Sequence, residues 1–252
     1  MPLRRQAQPV AQRALGSAHP AVLRRWRGLQ AARRARRLGS VTREFVTWHG
    51  LTVSGGPFAG LRYPDATATS LIPKLLGVYE RELHPVVERV IREEPDLIVN
   101  VGAADGYYAV GLARRCPRAA VHAFEADSRA RALLARVAGA NGVAIQIGGA
   151  AGLGELRALQ GRALIVIDCE GCEAALLDPD QAPLLRCATI VAELHDFAVP
   201  ALGETIAERF GATHDLTLVS TGAQPPERSS TLALALSEYR PGPMRWAVMS
   251  PR

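Results

Sequence analysis

Two short acidic stretches, one of them carrying a histidine, hold most of the chemistry in this sequence. Asp168 and Glu170 follow one apolar run, and Glu193, His195 and Asp196 end another. An imidazole with an unperturbed pKa of about 6.5, set among carboxylates, suits removal of a proton from an acceptor in the neutral range. His195 is accordingly read as the base, with Glu193, Asp168 and Glu170 orienting the reacting partners. Oxygen ligands with one imidazole would also suit Mg2+ or Mn2+. Acid pairs beside a ligand are more commonly hydrogen-bonding groups, so no metal is assigned.

Cys169 and Cys172 sit among the same acids with CxxC spacing. A zinc site would want a second ligand pair, and a redox pair a thioredoxin-like setting. Cys116 and Cys187 are isolated, so neither is met. The two are read as small buried residues at a strand end, with no disulfide framework in the chain. His214, in Thr213-His214-Asp215, is read as structural.

A third group surrounds a glycine turn. Leu97-Ile98-Val99-Asn100-Val101 runs into Gly102-Ala103-Ala104-Asp105-Gly106-Tyr107-Tyr108, which reads as a buried strand, a tight turn and the start of a helix. In doubly wound sheets ligands sit outside the carboxyl ends of the strands, at the switch point. Small residues at 102–104 let backbone approach a ligand, and the helix N-terminus offers N–H donors to a carboxylate or phosphate. A dinucleotide fingerprint starting at Gly102 would need glycines at 104 and 107, where this chain has Ala104 and Tyr107. The spacing Gly102-x-x-x-Gly106 is the one methyltransferase sheets commonly show. Glu125 closes the next apolar run, 23 residues after Gly102. A carboxylate there can accept both hydrogen bonds of a ribose diol.

These residues need a frame that brings strand ends together. Leu97–Val101, Ala120–Phe124, Val143–Ile147, Leu164–Ile167 and Thr189–Leu194 are short apolar runs rich in Val and Ile. Helical stretches near 107–115, 129–139, 172–178 and 201–210 separate them. Uninterrupted apolar strands alternating with helices predict a parallel sheet covered on both faces. Two closing strands, antiparallel to each other, are expected at Asp215–Ser220 and Thr231–Leu236, joined by the Pro225-Pro226 loop. Upstream, Val46–Trp48 and Leu51–Val53 around His49-Gly50 suggest a hairpin. Residues 71–94 have helical periodicity that Pro85 interrupts or restarts.

Composition bounds the rest. The chain has 252 residues, 48% hydrophobic, enough for one substantial α/β core. Formal charge is +6, but residues 1–45 carry +10 and the remainder −4. Of thirty basic residues only Lys74 is a lysine, which reads as the coding bias of a GC-rich, bacterial genome. No apolar run reaches the roughly 18 residues that cross a bilayer, and the expected location is the cytoplasm. Residues 1–44 read as a basic arm, in which Val22, Leu23, Trp26 and Leu29 recur at helical spacing among arginines. Residues 45–95 read as a hairpin and helical cap, and 96–252 as the catalytic domain.

The chain resembles the FkbM-like branch of the class I S-adenosylmethionine-dependent methyltransferases. The resemblance is carried by Gly56–Tyr63, Val99–Tyr108, Phe124-Glu125, Ile167-Asp168-Cys169-Glu170-Gly171 and Val191–His195, five stretches in the right order. It implies a Rossmann-like, doubly wound, mostly parallel sheet of seven strands, the last antiparallel, behind an N-terminal helical and hairpin extension. It also implies S-adenosylmethionine over the first strands, with Gly102, Asp105 and Gly106 near the methionine part, Glu125 at the ribose, and Gly149-Ala150 near the adenine. Ala103, Tyr107, Ala126 and Asp168 complete the expected cofactor set. Asn100 stands where many relatives carry Asp. The expected activity is methylation of an oxygen on a small molecule, a sugar or secondary metabolite. Two rivals are an RNA methyltransferase anchored by the arginine arm, whose binding would be steeply salt-dependent, and a non-catalytic cofactor-binding module.

Overall fold

The computed structural model describes residues 37–221, 235, 236, 238 and 244–252. Its centre is a seven-stranded sheet built from β1 (Leu97–Val101), β2 (Ala120–Phe124), β3 (Gln146–Gly148), β4 (Ala163–Ile167), β5 (Thr189–Leu194), β6 (His214–Ser220) and β7 (Arg245–Pro251). The order across the sheet is β3-β2-β1-β4-β5-β7-β6. The first five strands pair in parallel, whereas β7 runs antiparallel to both β5 and β6. This is the Rossmann-like arrangement with an antiparallel element near one edge. The winding reverses between β1 and β4, so their carboxyl ends open the crevice where such sheets take ligands.

Helices on both faces explain why the central strands are apolar throughout. On one face α3 (His84–Arg92), α4 (Tyr107–Arg115) and α5 (Ser128–Asn141) cover Ile98, Val121, Leu164, Val166 and Val191. On the other, α6 (Leu153–Arg157), α7 (Glu173–Leu176) and α8 (Leu202–Phe210) cover Val99, Val101, Ile165, Ile167 and Ile190. Successive residues of β1 and β4 thus serve opposite cores, as the two-residue period of a strand requires. Local chemistry sets the helix ends. The Asp127 carboxylate accepts from the N–H groups of Arg129 and Ala130 at the start of α5, and Gly142 ends that helix in the left-handed conformation. Pro85 lies in the first turn of α3, where its missing N–H costs nothing, so it restarts the helix as expected.

Two expectations are corrected. Residues 37–49 are helical (α1), so Val46–Trp48 is not a strand. The helix ends at Gly50, whose N–H reaches Val46 O, and the antiparallel bridge instead joins Thr52 to Arg62 around the glycine-rich turn. The chain then continues through α2 (Leu71–Leu76) and a 3-10 turn at Arg81–Leu83 into α3. At the other end the last strand is β7, not Thr231–Leu236; Ala235 is helical and Leu236 lies in a turn. Trp246–Met249 is the run that can be buried between two strands, and all four residues are. Residues 231–234, the Pro225-Pro226 loop and the apolar stripe at 22–29 lie outside the described residues. Among those described, no helix is long and apolar enough to cross a membrane.

Candidate active site

The turn after β1 is pinned to its neighbours on both sides. The N–H groups of Gly102 and Ala103 both donate to Phe124 O at the end of β2, at 2.9 and 3.0 Å. Gly102 has φ +75°, and a Cβ on it would lie 1.6 Å from Asp168 O at the end of β4. Glycine is required here because two strand ends meet. Ala104 N–H donates to Glu125 Oε2 and Asp127 N–H to Glu125 Oε1, both at 2.8 Å. Each oxygen of an ionised carboxylate has two acceptor positions, so Glu125 clamps the turn and keeps capacity for a ligand. Arg131 fixes the same loop by donating to Glu125 O and Ala126 O at 2.6 and 2.7 Å.

A cavity of about 410 Å3 opens against this clamp. Gly102, Glu125, Ala126, Ala150 and Asp168 line it, together with Ala104 and the 169–172 loop. Of the expected cofactor set, Ala103, Asp105, Gly106, Tyr107 and Gly149 do not. Ala103 is buried and its carbonyl accepts from Gly106 N–H at 2.8 Å. Asp105 turns inward to the Lys74 ammonium at 2.5 Å and to Tyr63 Oη at 3.4 Å, and accepts from Tyr107 N–H at 3.3 Å. That last bond caps α4 internally, so this donor is spent within the chain. Gly106, φ +92°, packs against Leu134. The Tyr107 ring stands edge-on to Phe58, Tyr79 and Tyr108. Gly149 is exposed. Asn100 is buried in the sheet, with Nδ2 donating to Val166 O at 3.3 Å.

A second cavity, of about 350 Å3, lies beside the first. Lys74, Tyr79, Glu80, Glu193, His195 and Phe197 line it, and Ala104, Asp168 and Glu170 border both spaces. A strand residue and the residue two further on point the same way, so Glu193 and His195 both reach this cavity. Asp196 does not; its carboxylate accepts from Arg245 on β7 at 2.7 Å and from Gly203 N–H at 3.3 Å. The expected catalytic residues Asp168, Glu170, Glu193 and His195 are therefore brought together.

His195 is only 1% exposed. Its Nδ1 is 2.8 Å from Glu173 Oε1, a fully buried carboxylate at the start of α7 that also accepts from Cys169 N–H at 3.0 Å. A carboxylate accepts only, so Nδ1 carries the hydrogen and Nε2 faces the other acids. From Nε2 the nearest oxygens of Glu193, Glu170 and Asp168 lie at 3.4, 3.5 and 3.6 Å. Burial pulls the imidazole pKa down, but the Glu173 bond and the charges of Glu173, Asp168 and Glu170 outweigh it, and the net shift is upward. Burial raises the Asp168 carboxyl pKa, against the opposing pull of Glu193 and His195. Burial, then the Glu80 charge, raises the Tyr79 phenol well above its usual range, so it stays protonated.

Cys169 and Cys172 correct the expectation of no disulfide. They are bonded to each other, with Cα atoms 5.5 Å apart, because Glu170 and Gly171 both take positive φ and fold the loop back. Cys116 and Cys187 are free. Glu173 and Lys74 are the site residues that sequence reasoning missed. Glu173 had a signal, since it extends the 168/170 acid spacing into the next helix. Lys74 had one too, as the sole lysine in a chain that otherwise uses arginine. His214 is structural as expected, with Nε2 at 3.0 Å from Ala188 O and Nδ1 at 2.8 Å from Thr213 Oγ1.

No protein-family model and no curated protein matches this chain. Among solved structures it is similar to the O-methyltransferase TomG of Streptomyces achromogenes, crystallised with SAM, at 17% identity over 71% of this chain and 83% of that one, TM-score 0.47. An O-methyltransferase from Bacillus cereus in complex with SAH shares 14% identity over 65% and 78%, TM-score 0.44. An rRNA methylase from Streptococcus thermophilus shares 12% over 68% and 98%, TM-score 0.48. Likeness of this degree concerns chain path and says nothing of what this chain binds or modifies.

Proposed function

We propose that this chain is an S-adenosylmethionine-dependent methyltransferase of the FkbM-like kind that methylates an oxygen of a small molecule. The observation that carries the reading is a pair of cavities sharing one wall, Ala104, Asp168 and Glu170, with a ribose-type acid on one side and an acid–imidazole cluster on the other. The first cavity fits the nucleoside. Glu125 would accept the ribose hydroxyls with the acceptor positions left beside its two backbone bonds, and Ala126 and Ala150 leave room for a flat base. When bound, S-adenosylmethionine supplies an electrophilic methyl group.

The remaining work falls to the residues of the second cavity. Alignment is the largest part of it. The other part is removal of the acceptor's proton, for which His195 is placed, its Nδ1–H held by Glu173 and its Nε2 facing the acids. Tyr79, held protonated, is a donor and not a base. The acidic lining argues against an RNA acceptor. Glu80, Asp168, Glu170, Glu193 and Glu238 border the cavity, with Lys74 the single lysine or arginine among its described lining residues, a field that repels phosphates. An apolar cavity of about 440 Å3 adjoins at Thr69 and Ser70, which favours an acceptor with an apolar body. Incubation with S-adenosylmethionine and a library of hydroxylated small molecules, read as S-adenosylhomocysteine release, tests the reading. Wild type is expected to turn over, and His195→Ala to lose turnover while keeping nucleoside affinity. Equal turnover in both would remove His195 from the reaction.

A further inference from the structure

The loop that walls off one cavity from the other is closed by a covalent bond for which the proposed reaction has no use. Cys169 and Cys172 are half-buried and joined as a disulfide, and both line the nucleoside cavity. Only Glu170 and Gly171 lie between them. Closing so short a loop removes little freedom from the unfolded chain, so the bond contributes little as a staple.

Two features connect the bond to the site. Glu170, which borders both cavities, sits at φ +56°, a left-handed conformation that a non-glycine residue keeps only where its surroundings hold it. The sulfur bridge spans this residue. Cys169 Sγ also stands 3.5 Å from Glu173 Oε1. That oxygen already accepts from Cys169 N–H at 3.0 Å and from His195 Nδ1 at 2.8 Å, which fills its two acceptor positions. A disulfide sulfur has no hydrogen to give, whereas a thiol is a weak donor. Reduction therefore brings a third donor to the oxygen that orients His195, and it releases the bridge across Glu170.

We propose that Cys169 and Cys172 are a reversible thiol–disulfide site that exchanges with small dithiols entering the nucleoside cavity, and that the disulfide form is the one that keeps Glu170 in the shared wall and Glu173 on His195. In the reductive direction a thiolate of the dithiol attacks one of the two sulfurs. The S–S bond breaks and the other cysteine leaves as a thiolate. The dithiol's second thiolate then attacks the dithiol sulfur of the mixed disulfide, expels the first cysteine and closes a cyclic disulfide. The two cysteine thiolates take up the two protons the dithiol has lost, so two electrons and two protons pass to the protein. Oxidation is the reverse, with the cyclic disulfide as oxidant. The exchange and its effect on His195 rest on the geometry of the loop, and only the effect on nucleoside affinity rests on the proposed function.

The test is equilibration of the full-length protein in buffers of reduced and oxidised dithiothreitol, followed by alkylation in denaturant and mass measurement. Alkylation is expected only on Cys116 and Cys187 at the oxidising end and on all four cysteines at the reducing end, in a transition that runs both ways. The imidazole nitrogen resonances of His195 should differ between the two forms, and Cys172→Ser should show the reduced-form resonances at every buffer ratio. S-adenosylhomocysteine should bind the reduced protein about tenfold more weakly, and by reciprocity saturating nucleoside should move the transition toward stronger reductant. The wild-type readouts stand even if the variant fails to fold. An alkylation pattern that never changes would overturn the exchange. Unmoved His195 resonances would overturn the link to Glu173 whether or not nucleoside binds, and equal nucleoside affinity in the two forms would overturn the hold on the wall. Alkylation and resonances that change as expected, with no nucleoside bound by either form, remove only the methyltransferase reading.

Discussion

At the scale of single residues, the contact between Glu173 and His195 decides how the imidazole is presented. Glu173 lies outside both cavities, and a glutamine there can still accept from Cys169 N–H, so Glu173→Gln should act chiefly through His195. Turnover is expected to fall with nucleoside affinity unchanged, and a titration with S-adenosylhomocysteine beside a turnover assay checks both. A matching loss of affinity would show that Glu173 holds the 168–173 loop and not the histidine. The acids at 168, 170 and 193 and the histidine at 195 were legible because their types announce chemistry and each follows an apolar run. Glu173 and Lys74 were not read, since partners at 22 and 31 residues' separation emerge only when strands meet. Asp105 shows the converse. It stands in the glycine-turn motif, but its carboxylate serves Lys74 and the first turn of α4.

The elements that carry the site are held by close approaches of backbone. Gly102→Ala would place a methyl 1.6 Å from Asp168 O at a positive φ. The expected cost is about 3 kcal/mol or more, read as a lower urea midpoint with an unchanged slope. A second element-scale prediction concerns the β5–β6 end of the sheet. His214 is buried, and desolvation lowers its pKa against the Ala188 carbonyl bond. The folded state therefore binds a proton less readily than the unfolded chain, whose histidine titrates near 6.5. This contribution is complete above about pH 6.5 and is lost as pH falls from there toward the lower folded value. Unfolding measured between pH 7 and 5 should show a shallower loss in His214→Gln, which can still donate to Ala188 O. Equal slopes would contradict the assignment. Strand existence was legible from apolar runs and helix positions from periodicity. The displaced hairpin was not, because Val46-Thr47-Trp48 suits a strand by type, and only Thr47 bonding back to Arg43 O and the Gly50 stop reveal the helix end.

Across the whole molecule, the N-terminal cap is joined to the sheet through an ion pair. Lys74 on α2 and Asp105 on the turn after β1 are both about 4% exposed at the side chain. The Lys74 ammonium also lies over the rings of Tyr79 and Tyr107, at 5.0 and 5.7 Å. Removing one partner strands a buried charge, so Lys74→Met should cost about 3–5 kcal/mol. Adding Asp105→Asn should restore part of it, since the orphaned charge then disappears. Chemical denaturation of the single and double variants checks this, and additive losses would contradict coupling. Charge divides along the chain as well, with +10 over residues 1–45 and −4 over the rest. The acids of the second cavity belong to that negative part, in keeping with the small acceptor proposed above. The measurement that tests the central claim most directly is calorimetric titration with S-adenosylhomocysteine, beside Glu125→Ala and an NAD control. Micromolar binding by the wild type is predicted, weakened about tenfold or more when Glu125 no longer reaches the ribose, with no response to NAD. Absence of binding to the wild type, or equal binding by the variant, would contradict the account.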